Sequence, residues 1–136
     1  MTPETFLDTN VILYAATGRL DAPEKHAVAQ GLLTTRFGTS AQVLAEFFTN
    51  ATRKGGSPLS RDEAEEWVRL LARKPCEDVT PALVCDGIRL SQRYQISYWD
   101  AAIIAAAERL GAKTVYSEDL AHGQTYGAVA VVNPFL

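Results

Sequence analysis

A chain of 136 residues with 47% hydrophobic content has the material for one globular domain with a sizeable core. Its 16 acidic residues against 13 Lys and Arg give a net charge of −3, which argues against a pure nucleic-acid-binding module but not against an enzyme that meets phosphate through a bound cation. No run approaches ~18 apolar residues, so no membrane span is expected, and Met1-Thr2-Pro3-Glu4 lacks the basic and apolar parts of a leader, so a cytoplasmic protein is.

In chain order, Thr5-Phe6-Leu7 are β-formers that stop at Asp8-Thr9-Asn10. Val11, Ile12, Tyr14, Ala15 and Ala16 then resume an apolar helical pattern that Gly18 ends. Ligands bind outside the carboxyl ends of strands in open α/β sheets, so Asp8 stands where a first strand presents chemistry. On this stretch alone, Asp8 or Thr9 also reads as a plain helix cap. Pro23-Glu24 opens a second helix with a modest stripe of Ala27, Val28, Gly31 and Leu32. Phe37-Gly38-Thr39-Ser40 reads as a second strand weakened by its glycine. Ser40 caps a helix from Ala41 to Lys54 that Gly55-Gly56 closes. Val43, Leu44, Phe47, Phe48 and Ala51 form its apolar stripe, and Gln42, Glu46, Asn50 and Arg53 lie together off it. By itself, Glu46 is an ordinary solvated helical residue.

Ser60-Arg61-Asp62-Glu63 is a capping box that starts a helix reaching about Lys74, with Ala64, Trp67, Val68 and Leu71 inward. Val79 lies in a short extended piece after Pro75. Thr80-Pro81 opens a helix through Tyr94 whose inner face is Leu83, Val84, Gly87, Ile88 and Ser91. Ser97 then precedes the most apolar helix, Ala101 to Ala107, which ends at Leu110-Gly111 and whose small residues imply burial on several sides. Asp100 either closes a capping box with Ser97 or does chemistry, and the two roles are compatible. Lys113-Thr114-Val115-Tyr116 is a strand ending in Ser117-Glu118-Asp119, another acid past a strand end. Val129-Ala130-Val131-Val132 is the last strand, with the β-branched character of one buried on both faces. Strands alternating with helices predict a doubly wound α/β fold.

Asp8, Glu46, Asp100 and Asp119 are four weak signals that together predict one acidic cleft along the carboxyl edge of a parallel sheet. Gathered carboxylates repel unless a proton or a cation joins them. Oxygen donors without a His or Cys cluster select a hard ion, Mg²⁺ or Mn²⁺, able to activate water toward a phosphodiester. A phosphatase with an aspartyl nucleophile needs a second acid at position 10, which is Asn10. The acid pair and late lysine of a receiver domain are not found.

Leu7-Asp8-Thr9-Asn10, Glu46 in Val43-Leu44-Ala45-Glu46-Phe47, Trp99-Asp100-Ala101-Ala102-Ile103 and Ser117-Glu118-Asp119-Leu120 stand in the order seen in PIN-domain ribonucleases. Val131-Val132-Asn133-Pro134-Phe135 resembles the end of that domain, and the likeness spans residues 1–136. Length and start resemble the VapC-type toxins of toxin–antitoxin pairs. The resemblance implies a single PIN-like α/β domain acting as an endoribonuclease that needs Mg²⁺ or Mn²⁺. It also implies an acidic quartet of Asp8, Glu46, Asp100 and Asp119. Asp8 and Asp100 would be the most direct metal contacts; Glu46 and Asp119 would bind a second ion or position the attacking water. Asn10 would orient Asp8 or an ion-bound water, and Ser117 would hydrogen-bond within the site. The partners implied are RNA, a VapB-like antitoxin with a basic side chain in the acidic pocket, and a second copy of the chain. A PIN-like protein that binds RNA or a partner without cutting is the alternative.

Other residues carry little. His26 and His122 are expected to have no role, and Glu118 to point away from the site. Cys76 and Cys85 read as isolated thiols. Trp67 and Trp99 could stack on bases, yet both fall on apolar stripes and are expected to pack in the core or an interface. Arg53, Lys54, Arg61 and Arg93 are candidates to meet phosphates along the cleft rim, with none singled out.

Overall fold

Strand β1 (Thr5–Leu7) is the pivot of the molecule, with Phe6 and Leu7 fully buried. The computed structural model describes residues 2–53 and 59–136, so Lys54, Gly55 and Gly56 lie outside the described residues. After β1 come α1 (Thr9–Thr17), α2 (Pro23–Leu33), β2 (Phe37–Ser40), α3 (Ala41–Ala51), α4 (Arg61–Leu71) and β3 (Cys76–Glu77). The second half holds α5 (Pro81–Tyr94), α6 (Tyr98–Leu110), β4 (Thr114–Tyr116), β5 (Thr125–Tyr126) and β6 (Val129–Val132).

The sheet order is β3-β2-β1-β4-β6-β5, parallel throughout except that β5 runs against β6. The chain winds outward from β1 through β2 to β3, then crosses by α5 and α6 to β4 on the other side of β1. That reversal creates a crevice at the carboxyl ends of β1 and β4, where open α/β sheets bind ligands. Leu7 pairs in register with Tyr116, so the residues that follow, Asp8 and Ser117, emerge side by side. The amide of Asp8 donates to Tyr116 O at 3.1 Å and fixes that alignment.

Helix α6 carries the core. Ala101 to Ala107 are all buried, and the helix packs on α5 and touches β2, β3, β4 and β6. A helix surrounded on every side needs small residues more than a stripe. It ends at Gly111, which adopts φ +80°, where a Cβ would also meet the Thr2 Cγ2 at 2.8 Å. Gly111→Ala is expected to lower stability by about 1 kcal/mol, read as a lower urea midpoint at unchanged slope. In β2, Gly38 is a requirement of packing and no weakness. A Cβ there would lie 2.8 Å from Leu110 Cδ1 and 3.1 Å from the carbonyl of Pro75.

Several boundaries and faces differ from expectation. Helix α3 ends at Ala51, where Thr52 turns its hydroxyl back onto Phe48 O. Helix α4 ends at Leu71 and not near Lys74. On α2 the buried residue is Ala29 while Val28 is exposed. Polar contacts set that rotation: Gln30 Nε2 donates to Ala15 O at 2.8 Å, and His26 Nδ1 lies 2.9 Å from Tyr14 O. Ile88 on α5 is exposed, its inner face being Leu83 and Gly87. The extended piece near Val79 is the two-residue β3 just before it, and β5 was not expected at all. Among the described residues no helix is long and apolar enough to cross a membrane.

Candidate active site

Asp8 leaves β1 and caps α1 in one step. Its backbone is extended (φ −76°, ψ 167°), and its Oδ1 accepts from the Thr9 amide at 2.7 Å. The cap and the strand-end acid are therefore the same residue in both roles. Its Oδ2 accepts from the Ser117 hydroxyl at 2.8 Å. Ser117, completely buried, also accepts from the amides of Asp119 at 3.2 Å and Leu120 at 3.3 Å, so one hydroxyl ties the β4 exit to the β1 exit.

Glu46 reaches the same place from the middle of α3. Its Oε1 accepts from the Thr9 hydroxyl at 2.7 Å, and its Oε2 lies 3.3 Å from the Gln42 amide nitrogen. Asp100 arrives on the first turn of α6, where its amide donates to Ser97 Oγ at 3.1 Å. Asp119 accepts from Asn10 Nδ2 at 3.0 Å, while Asn10 Oδ1 accepts from the Glu118 amide at 3.1 Å. Asn10 thus orients Asp119 and not Asp8. Glu118 turns outward, bonded to Lys25 and to the Tyr14 hydroxyl.

Asp8, Glu46, Asp100 and Asp119 line one cleft of about 220 Å³, together with Thr9, Asn10, Gln42 and Asn50. None of the described residues lining it is Lys, Arg or His. Burial pushes the Asp8 carboxyl from an ordinary 3.8 up to about 6; the Ser117 and Thr9 hydrogen bonds restrain the rise, and the charges of Asp119 and Glu46 add to it. Partial burial likewise raises Asp100, opposed by Ser97 and assisted by Asp119 and Glu46. Among the described residues no three acids, histidines or cysteines stand as a ready-made metal-binding group. The carboxylates are instead held by Thr9, Ser117 and Asn10. Among the described residues the cleft carries no positive charge and its acidic donors are all oxygen, which fits a hard divalent cation in charge and chemistry.

The family model of the PIN domain matches residues 5–127. The chain belongs to the PIN-domain family. Solved structures carry the same fold. This PIN domain is 25% identical to the Mycobacterium tuberculosis toxin VapC20, a Sarcin-Ricin loop cleaving toxin, with a TM-score of 0.66 over 85% of this chain and 89% of that one. A toxin–antitoxin complex from Klebsiella pneumoniae matches at 16% identity and TM-score 0.68, over 96% and 97% of the two chains. VapBC2 from Rickettsia felis, bound to a promoter DNA fragment, matches at 18% and 0.64, over 93% and 96%. No curated protein matches significantly.

Thr9, Gln42 and Asn50 are residues of this PIN domain that sequence reasoning missed as site members. Thr9 was visible only as a cap, because its partner Glu46 lies 37 positions away. Gln42 and Asn50 were visible as the helical neighbours of Glu46. Trp67 packs against Phe47, ring centroids 5.9 Å apart, as expected. Trp99 does not pack in the core: it is 64% exposed on the rim of the cleft. The pairing of α5 with α6 leaves position 99 outside, with Gly87 and Tyr98 in contact distance instead. His122 Nδ1 accepts from the Asn133 amide at 3.0 Å and is not among the described residues that line the acidic cleft. The Arg61 guanidinium lies over Phe48, and Arg93 lies over Tyr94 and lines a different cavity.

Proposed function

We propose that this chain is an endoribonuclease dependent on Mg²⁺ or Mn²⁺ and the toxin of a VapBC-type pair, acting in the cytoplasm. The observation that carries the reading is a single cleft lined by four carboxylates, without a described basic residue, at the switch point of the sheet. Membership of the PIN family and likeness to a toxin that cleaves the Sarcin-Ricin loop support RNA as the substrate class.

Asp8 and Asp100 would hold the ion most directly, with Glu46 and Asp119 as further oxygen donors. Bound there, a divalent cation supplies an acidified water and takes up charge on the phosphoryl oxygen. The protein's own groups do the rest. Ser117 and the Thr9 amide keep Asp8 ionised at neutral pH against the pull of burial. Thr9 and Gln42 fix the two oxygens of Glu46, and Asn10 fixes Asp119, so both acids are held to orient the attacking water. Hydrolysis would leave a 5′-phosphate and a 3′-hydroxyl. A cleft this acidic is also the natural receptor for an arginine of a VapB-like antitoxin, whose guanidinium pairs with carboxylates in two-pronged fashion. A homodimer completes the proposed assembly.

Total tRNA incubated with the purified chain tests the reading. Cleavage is expected with Mn²⁺ or Mg²⁺, none with chelator, and a fall on the order of a hundredfold or more in Asp100→Asn. Cleavage that survives chelation, or that survives Asp100→Asn, overturns it.

A further inference from the structure

Large aromatic side chains are normally kept for cores and interfaces, because each removes substantial apolar area from water. Trp99 breaks that pattern at a telling position. It is 64% exposed although Ala101 to Ala107, which follow on the same helix, are all buried. Its ring sits edge-to-face against Tyr98, centroids 5.1 Å apart and planes at 76°, which sets its tilt and leaves most of its surface in solvent. Trp99 lines both the acidic cleft and a neighbouring apolar recess of about 500 Å³ that Val79, Leu83 and Tyr98 also line. Gln42 and Glu46 also belong to both walls, so recess and cleft lie side by side across Gln42, Glu46 and Trp99. Gln42 is within 3.4 Å of the Trp99 carbonyl and 3.3 Å of Glu46, joining α3 to the start of α6 across the seam.

The chemistry of the recess selects its occupant. Among the described residues its walls carry one carboxylate and no basic side chain, so they offer a phosphate no charged partner. An uncharged planar ring needs none. The molecule as a whole has a net charge of −3, so a polyanion gains little from the phosphate contacts that dominate most nucleic-acid binding. Single-stranded RNA offers a second source of affinity, bases splayed out and stacked on aromatic side chains, which costs no positive charge. We propose that Trp99 stacks an unpaired nucleobase of the RNA strand in the Val79–Leu83–Tyr98 recess, beside the phosphate held in the acidic cleft. The proposal rests on the nuclease reading above and adds the element that seats a single-stranded segment there.

The test separates stacking from cleavage. The chain has two tryptophans, so Trp67→Phe leaves Trp99 as the only indole. Adenosine, which carries no phosphate, is titrated into that protein while tryptophan emission is followed. Saturable quenching is expected at millimolar adenosine, and none in the Trp99→Phe protein, where only Trp67 reports. In RNA cleavage, Trp99→Ala is expected to raise KM about tenfold while kcat stays within about threefold, and Trp99→Phe to stay near the native KM. If the native chain cleaves no RNA under any ion, the nuclease reading fails while the adenosine titration still decides the stacking site. Absence of quenching together with an unchanged KM in Trp99→Ala overturns the proposal. So does adenosine failing to bind while Trp99→Ala converts a dimer into monomers in sedimentation, since the recess would then be covered by a second copy.

Discussion

Asp8→Asn is expected to lose RNA cleavage altogether and, in chelator, to melt at a higher temperature than the native protein. Asn caps a helix as well as Asp does, so the start of α1 should survive the change. What disappears is a buried charge. The folded-state carboxyl titrates near 6 against an ordinary 3.8, a difference worth at most about 3 kcal/mol. A carboxyl whose folded value is raised binds more protons in the native state between those two values, so native stability falls as pH rises from about 4 to about 6 and is level above. At pH 7.5 the native protein bears the whole penalty and the variant bears none. Part of the gain is returned through weaker hydrogen bonds from Ser117 and Thr9, leaving about 1–2 kcal/mol, or roughly 3–8 °C in Tm. The pH-dependent loss between 4 and 6 should be absent from the variant. Saturating Mn²⁺ should reverse the order, because a ligand that binds only the native fold of the unaltered protein stabilises it by mass action. A variant less stable than the native protein at pH 7.5 in chelator would show that the charge on Asp8 is not what the fold strains against.

The acids of this site were legible in the sequence because each sits beside a local signal. Asp8 and Asp119 follow strands, Asp100 follows a cap, and Glu46 lies off a clean helical stripe. The sequence order of the four, compared with the PIN pattern, added what no single stretch carried. The hydrogen bonds that hold them were not legible. Thr9 meets Glu46 and Asn10 meets Asp119 only through the winding of the sheet, across 37 and 109 positions. Strands of two residues, such as Cys76–Glu77 and Thr125–Tyr126, are too short to display alternation and exist because a longer neighbour offers them hydrogen bonds. Val28 and Ile88 misled for the opposite reason. Apolar spacing named a face, but contacts between helices fixed the rotation, and both residues point to water. Trp99 misled most usefully: its apolar context suggested packing, and its exposure suggests a ligand.

Ser117→Ala should be a costly single-atom change. The side chain is 0% exposed, and its oxygen serves three partners at once: the Asp8 carboxylate and the amides of Asp119 and Leu120. Alanine fits the space, so the cost comes from polar groups left without partners, each worth about 1–3 kcal/mol when buried. A loss of about 2–4 kcal/mol is expected in urea unfolding at pH 7.5. At pH 5 the loss should be smaller, because Asp8 is then mostly protonated and needs its donor less. The same oxygen restrains the upward pull of burial on Asp8, so without it the carboxyl titrates higher still. Less of it is charged at neutral pH, and the acid limb of the cleavage profile should move to higher pH. Ser117→Thr keeps the hydroxyl and should keep the limb in place, even where the added methyl lowers stability by crowding a closed site. Stability and the acid limb are thus set by one oxygen for separable reasons. A Ser117→Ala protein with lowered stability and an unmoved limb would leave Ser117 a bolt between two strand ends and nothing more.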